Sequence, residues 1–484
     1  MGTEAPSQPI LSSRSSQNTL QADDMSSSVP NHEKPVDTST PHTGSQNQTS
    51  TAAVTNGASE KSDIESPPTQ PQKPSGMQAG IPPPPNGGLV AWLQVVAGFM
   101  LFFNTWGILN TFGVYQTYYE TGALFTETSS NISWIGSIQA YMVLTVGFFS
   151  GPVYDRGYLR ALLIAGSFGV VFGHMMLSLC TEFWQVLLAQ GFCVGMGAGC
   201  LFVPAVAILP TYFNTKIGLA IGLAAAGSSM GGVIYPIAFY KLIGEVGFGW
   251  ATRIIGFIAL ATLLVPIFVM KMRFKPPKAR NLVDLSAFTD PPFMVFTIGT
   301  MIGFIGLYVM FFYLSYFAGE RHITNAAMSF YIVPIFNAAS TFGRTLPNAL
   351  SDKTGPLNLI VPGAIVVGIL TLCMLAVTSE AGIIVIAVLF GFFSGVFIAL
   401  PPVCFVALTQ DKRLIGTRIG MGFGIFGFGV LCGGPAAGSI LGADEGNLNW
   451  TGLWVYAGVT LLASGVIFAA LRVWKAGTAL KVKI

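Results

Sequence analysis

Charge is what this sequence has least of. Only 9% of its residues are Asp, Glu, Lys or Arg, against about 25% in a soluble domain. So thin a supply cannot clothe a water-soluble fold, and a chain that is 52% hydrophobic must be dissolved largely in lipid. Histidine is scarce too: four in 484 residues, with His32 and His42 both in the first 86. No Ser/His/Asp set, His cluster or metal-ligand spacing occurs, so neither an enzyme nor a metal or cofactor site is expected. The six cysteines (Cys180, Cys193, Cys200, Cys373, Cys404, Cys432) fall inside apolar runs and read as small buried residues. The net charge of +3 is scattered over short loops and does not point to nucleic acid.

A local absence marks the start of the chain. Residues 1–86 contain no Phe, Tyr or Trp and are dominated by Ser, Thr, Pro and Gln. Such a segment cannot bury enough apolar surface to offset its ordering entropy, so a disordered cytoplasmic tail is expected. Pro6 stands where a myristoylation signal needs Ser or Thr.

From Gly87 onward the pattern changes to apolar runs of about 20 residues, each long enough to cross a bilayer as a helix. Twelve are expected, near 89–113, 132–153, 159–180, 183–209, 216–240 and 250–270, then 292–317, 324–349, 357–378, 381–407, 415–441 and 451–474. This divides the chain into a six-helix half at 87–270, a basic linker at 271–290, a second half at 291–475 and a short tail at 476–484. Of the 24 Lys and Arg residues, this threading puts 17 on one side and 3 on the other, with 4 in the tail. The positive-inside rule then makes both termini cytoplasmic. Two sequons, at Asn131 and Asn449, fall on the outer side, so close to helix starts that unused matches are expected.

The halves echo each other about 200 residues apart. "GPVYDRGYLR" (151–160) and "NALSDKTGPLN" (348–358) each set an acid and a base beside glycine in an inner turn. "GLAAAGSSMGGVIYP" (222–236) and "GMGFGIFGFGVLCGGP" (420–435) are both glycine-rich and both end on proline. Glycine lets membrane helices approach closely, and the same reading holds for Gly191, Gly195 and Gly199. A duplicated six-span unit is the plan of a secondary transporter with a site between its halves. Asp155, Arg156, Arg160, Asp352, Lys353 and Lys216 are candidates for an inner gate that pairs when the inner side shuts.

One charge lies deeper. Arg344 stands about eight residues before the polar turn Ser351-Asp352-Lys353, or about 12 Å of helix, too far for the side chain alone to reach water. An arginine at such depth costs roughly 3 kcal/mol on insertion scales and is expected to face a water-filled cavity. Its planar fork suits a carboxylate. Asn337, Ser340 and Asn348 share its helix face. Gln139, Gln185, Gln190 and His174 read as helix–helix hydrogen bonds. Phe423, Phe426 and Phe428 could line a cavity, face lipid or pack.

The inner turn at 151–160 resembles the loop signature of the major facilitator superfamily. "NGGLVAWLQVVAGF" (86–99), "TYFNTKIGLAIGLAAAGSSMGG" (211–232) and "FNAASTFGRTLPNALSDKTGPLN" (336–358) resemble motifs of the monocarboxylate transporter family, in particular its fungal members. The resemblance covers residues 86–475 and implies an all-α fold of twelve membrane helices moving a small organic anion, or a bulkier carboxylate- or enolate-bearing metabolite, by alternating access. The plasma membrane is the expected location, and direction stays open between uptake and efflux. The rival is a nutrient sensor on the same scaffold that transports nothing.

Departures accompany the matches. Asn86 replaces the family's opening acid, and Thr215-Lys216 replaces a run of bases. Lactate carriers of the family pair a lysine in their first span with an aspartate one turn before the arginine. Here the first span offers only Asn104 and Asn110, and the residue four before Arg344 is Ser340. Proton coupling by that route therefore lacks its groups, and transport is expected to depend weakly on the pH gradient unless protons ride on the substrate.

Overall fold

The computed structural model describes residues 84–274, 280–411, 414–442 and 447–477; of Asp352 only the backbone is described. The expected tails, 1–86 and 476–484, therefore fall almost wholly outside it. No β-strand occurs among the described residues. Eleven helical segments are long and apolar enough to cross a bilayer: α1 (Leu89–Glu120), α2 (Ser129–Asp155), α3 (Leu159–Leu177), α4 (Phe183–Tyr212), α5 (Ile217–Val269), α6 (Pro291–Glu320), α7 (Ala326–Thr354), α8 (Leu357–Ala376), α9 (Glu380–Leu408), α10 (Ile415–Leu441) and α11 (Trp450–Ala476).

The expected gap between spans at 241–249 is helical instead. α5 has 53 residues, about 80 Å if straight, against a bilayer core of about 30 Å. Within it Gly247 is non-helical, at φ 73° and ψ 171°, a conformation that only glycine adopts cheaply. The arm before this kink packs on α1 and α7 through Gly227, Gly231 and Gly232, while the arm after it meets α3 through Gly249 and Gly256. α1 also runs further than expected, to Glu120. Inside it Thr105 and Thr111 return their hydroxyls to the carbonyls of Leu101 and Gly107, each at 2.9 Å. Such back-bonding bends membrane helices.

The repeat is visible in the packing. Gly227 and Gly231 of α5 abut the carbonyls of Phe99 and Phe103 of α1, and Gly429 and Gly433 of α10 abut those of Met301 and Ile305 of α6. Each member of the second set lies 202 residues beyond its counterpart. Any side chain at these glycines would collide with backbone, so the glycine-rich runs are contact surfaces. Gly195 and Gly199 of α4 likewise press on Gln139, Met142 and Val146 of α2. Across the halves α2 packs along α10 and α5 along α7.

Candidate functional site

Those two cross-half seams enclose a cavity of about 580 Å³, within the range of small-molecule sites. Both halves line it: Phe102 and Trp106 from α1, Phe202 from α4, Phe304 from α6, Arg344 and Asn348 from α7, Phe423 and Phe426 from α10. Arg280, Asn281 and Gly416 carry its lining to the end of the bundle where the 270–290 connection runs. The aromatic side chains form one connected wall. Trp106 meets Phe202 at 5.7 Å between ring centres, Phe202 meets Phe423 at 5.6 Å, Phe423 meets Phe426 at 5.0 Å, and Phe426 meets Phe304 at 4.6 Å. Of the three phenylalanines left open by the sequence, Phe423 and Phe426 belong to this wall. Phe428 is exposed on the outside of the bundle, against Tyr141.

Arg344 is the cation deepest in the cavity wall, 3% exposed. Its Nε donates to Ser340 Oγ at 3.2 Å, and Nη1 donates to Ser228 Oγ of α5 at 2.6 Å. Nη2 is buried with no acceptor. The three ion pairs among the described residues all lie elsewhere. Around it stand further groups with unmet demands. Asn348 Nδ2 donates to the Arg344 carbonyl and Asn337 Nδ2 to that of Val333, leaving both Oδ1 atoms without donors. The Tyr308 hydroxyl of α6, within electrostatic reach of the guanidinium, is also buried and unpaired. Unpaired buried polar groups are costly in a finished core. A guanidinium with a free N–H at a cavity wall can receive an anion there.

The remaining candidates are dispersed. Ser340 and Asn337 are fully buried and reach the cavity only through Arg344 and the α7 face. Asn104 does not line the cavity: it donates to Met100 O and Thr262 Oγ1 and accepts from the Tyr235 hydroxyl, tying α1 to both arms of α5. Asn110 is buried with both amide atoms unpaired, away from the cavity lining. Gln190 accepts from Tyr119, Gln185 caps the start of α4, and His174 bonds its own helix at the Val170 carbonyl. Asn131 donates to Glu127, and Asn449 caps α11.

At the linker end, Asp155 is buried and gripped by Arg280 from the 270–290 connection, through Nε at 2.6 Å, Nη2 at 2.9 Å and the backbone N–H at 3.1 Å. Arg280 also reaches the Gly416 carbonyl of α10 at 3.4 Å, so this contact joins α2 to the other half. Arg418 of α10 donates to Asp284 at 2.9 Å and to Asp290 at 2.6 Å. The hydroxyl of Ser286 and its partner Arg418 hold the Asp284 carboxyl below the usual range. Arg156, Lys216 and Lys353 are exposed, and Arg160 donates to the Ile267 carbonyl within its own half. The Asp352 side chain lies outside the described residues. Spacing in the sequence could not have announced Arg280, Asp284 or Arg418, because their partners are more than 120 residues away.

At the opposite end the halves meet directly. The Tyr313 hydroxyl of α6 donates to the Ser129 carbonyl at 3.1 Å, Ser130 Oγ donates to the Pro435 carbonyl at 2.9 Å, and Phe112 sits edge-on to Phe312 at 4.8 Å.

Two repeated helical halves, closed at one end around a cavity that reaches the other, have the layout of a membrane carrier with its site between the repeats. The chain belongs to the Major Facilitator Superfamily, whose model matches residues 94–399. It is 68% identical over 382 residues to the MFS-type transporter dbaD of Emericella nidulans, covering 79% of this chain and 86% of that one. It is 36% identical over 386 residues to the aspyridones efflux protein apdF of the same organism, covering 80% and 78%. Among solved structures, the nucleoside transporter NupG superposes with a TM-score of 0.63 at 15% identity, over 79% of this chain and 99% of that one. That likeness establishes the fold alone. The protein is a multi-pass membrane transporter, and its named relatives are transporters rather than enzymes.

Proposed function

We propose that the protein exports a bulky, weakly acidic metabolite, bearing a carboxylate or an enolate, across the plasma membrane. The observation that carries this reading is the buried Nη2 of Arg344, which has no acceptor, on a residue lining a largely apolar cavity with a connected row of aromatic rings along it. An anionic head would take the free N–H in a charge-assisted bond, and a planar, conjugated body would stack on the wall from Trp106 to Phe304. A small monocarboxylate would leave most of that wall unused, so the larger cargo is favoured over the lactate-like one. The efflux named for apdF supports the outward direction.

In this reading α5 crosses twice, folding at Gly247, and brings the spans to twelve. The basic asymmetry sets the linker end in the cytoplasm with both termini. The state described is then open inward and shut outward. Cargo enters from the cytoplasm and its charge replaces the missing partner of Arg344. The halves then close at the linker end as the Ser129–Tyr313 seam parts. Asp155 and Arg280 are the gate contact that this rocking must rearrange. The sensor alternative has no observation in its favour.

The test is to compare acidic metabolites inside and outside producing cells that carry the wild type, Arg344→Ala or no copy. Equal membrane abundance is checked by a terminal tag. Retention of an aromatic acid or enol in both the Ala variant and the null is expected. Normal export by Arg344→Ala would end the proposal.

A further inference from the structure

A half-buried carboxyl group lies between the halves, at the end remote from the linker, and neither the cavity nor the family resemblance involves it. Glu120 ends α1. Its Oε1 accepts from Gln116 Nε2 at 2.9 Å, and its Oε2 accepts from the Ser129 hydroxyl at 2.8 Å. The Ser129 carbonyl accepts from Tyr313 of α6, whose hydroxyl also reaches the Gly434 carbonyl of α10 at 3.4 Å. One carboxylate is thereby wired through the first turn of α2 to two helices of the other half. The titratable groups facing it from α6 are Glu320, Tyr313 and Tyr316. α2 and α10 face it with Ser129 and Gly434. Among the described residues no guanidinium or ammonium forms an ion pair with it.

The neighbouring amide adds an independent sign. Gln116 is completely buried, and its Oε1 has no donor. An ionised Glu120 can only accept hydrogen bonds, so it cannot satisfy that oxygen. A protonated Glu120 carries an O–H, and a half-turn of the Gln116 amide presents Oε1 to it. The proton also removes the like-charge opposition of Glu320 and the cost of holding a carboxylate in a closed seam.

We infer that Glu120 is a proton-binding site that latches the outer seam: the acid takes a proton as α2 closes on α6 and α10, and loss of that proton favours parting. The inference rests on the reading that this seam opens during transport. It revises the sequence-based expectation of weak pH dependence, since Glu120 responds to pH without the lysine and aspartate of the lactate carriers.

The test needs no cargo. Ser137 is fully buried beneath the seam, with its hydroxyl against Gly434. In proteoliposomes, Ser137→Cys is exposed to a membrane-impermeant maleimide at about pH 5.5 and about pH 8, above the labelling of the unsubstituted chain and normalised to glutathione for thiolate content. With Glu120 present, labelling is expected to be several-fold faster at the higher pH. With Glu120→Gln, which mimics the neutral acid, it is expected to be slow and equal at both. Gln116→Leu, which removes both the donor to the ionised carboxylate and the acceptor for the acid proton, should shrink the ratio while residue 120 stays a glutamate. The same pH ratio in all three backgrounds would overturn the proton site while leaving alternating access standing. No labelling under any condition would overturn both.

Discussion

Arg418, at the linker end, and Arg344, in the middle of the bundle, are both nearly removed from solvent, at 7% and 3% exposure, and are satisfied in opposite ways. Arg418 is met by two carboxylates and the Ser286 hydroxyl, and its guanidinium lies over the Phe293 ring at 5.6 Å. Arg344 is met by two serine hydroxyls and keeps one nitrogen unpaired. A cation whose charge is balanced inside the protein fastens elements together. One whose charge is unbalanced keeps an N–H without an acceptor. The same side chain is paired with carboxylates in one place and left without a counter-charge in the other, and the difference lies in its partners.

The largest expected effect separates them by ligand. Once the retained metabolite is isolated, Arg344→Ala should weaken its binding about ten- to a hundredfold, the worth of a charge-assisted bond at roughly 1.5–3 kcal/mol. Arg344→Lys should be nearly as poor, because an ammonium lacks the planar fork. Titration by intrinsic tryptophan fluorescence, with Trp106 in the wall, measures both. Full affinity in the Lys variant would reduce the fork to a point charge.

Stability should separate them with opposite signs. Arg418→Met leaves Asp284 and Asp290 facing each other without a cation and should cost roughly 1.5–3 kcal/mol, seen as a lower apparent Tm in detergent. Arg344→Met removes a buried cation without a counter-charge and should leave the Tm level or raise it. Equal losses in the two variants would dissolve the comparison.

A smaller effect is expected at the third arginine contact. Asp155→Asn loosens Arg280, and with it the tie from α2 to Gly416. Transport should slow roughly two- to fivefold, as for a partly exposed pair worth about 1 kcal/mol, while binding affinity stays unchanged. A matching loss of affinity would move Asp155 from gate to site.

The smallest effect concerns acidity. The Asp284 carboxyl is held below its usual range in the fold, so its contribution is present above about pH 3.9, the ordinary aspartate value, and is lost as pH falls through the depressed folded value. The Tm difference between wild type and Asp284→Asn should therefore be constant near neutrality and vanish only in strong acid. A difference that fades between about pH 6 and pH 5 would contradict the depression.

Much of this architecture could be read from the chain because lipid is a severe solvent. Backbone groups in a bilayer have to bond within their own helix, so the apolar runs, their lengths and the deep arginine announced themselves. Where water or a tight turn decides, reading failed. The boundary between the fifth and sixth expected spans is carried by one glycine conformation at Gly247 rather than by a polar loop, and composition does not encode a dihedral angle. Asn104 resembled a candidate for the site by its position in the first span, yet Thr262 and Tyr235 consume its hydrogen bonds. Glu120 passed unnoticed because it sits at a helix end, where an acid ordinarily meets water.

The sequence alone determined that this protein is immersed in lipid, that it is built twice over, and that Arg344 had to find a polar setting, because each follows from composition or spacing along one stretch of chain. Which arginine would be paired and which left free was decided only in three dimensions. Ser228 reaches Arg344 from 116 residues away, Asp284 and Asp290 reach Arg418 from more than 120, and no carboxylate pairs with Arg344 among the described residues. A charge is local, but its neutralisation depends on what folding brings beside it.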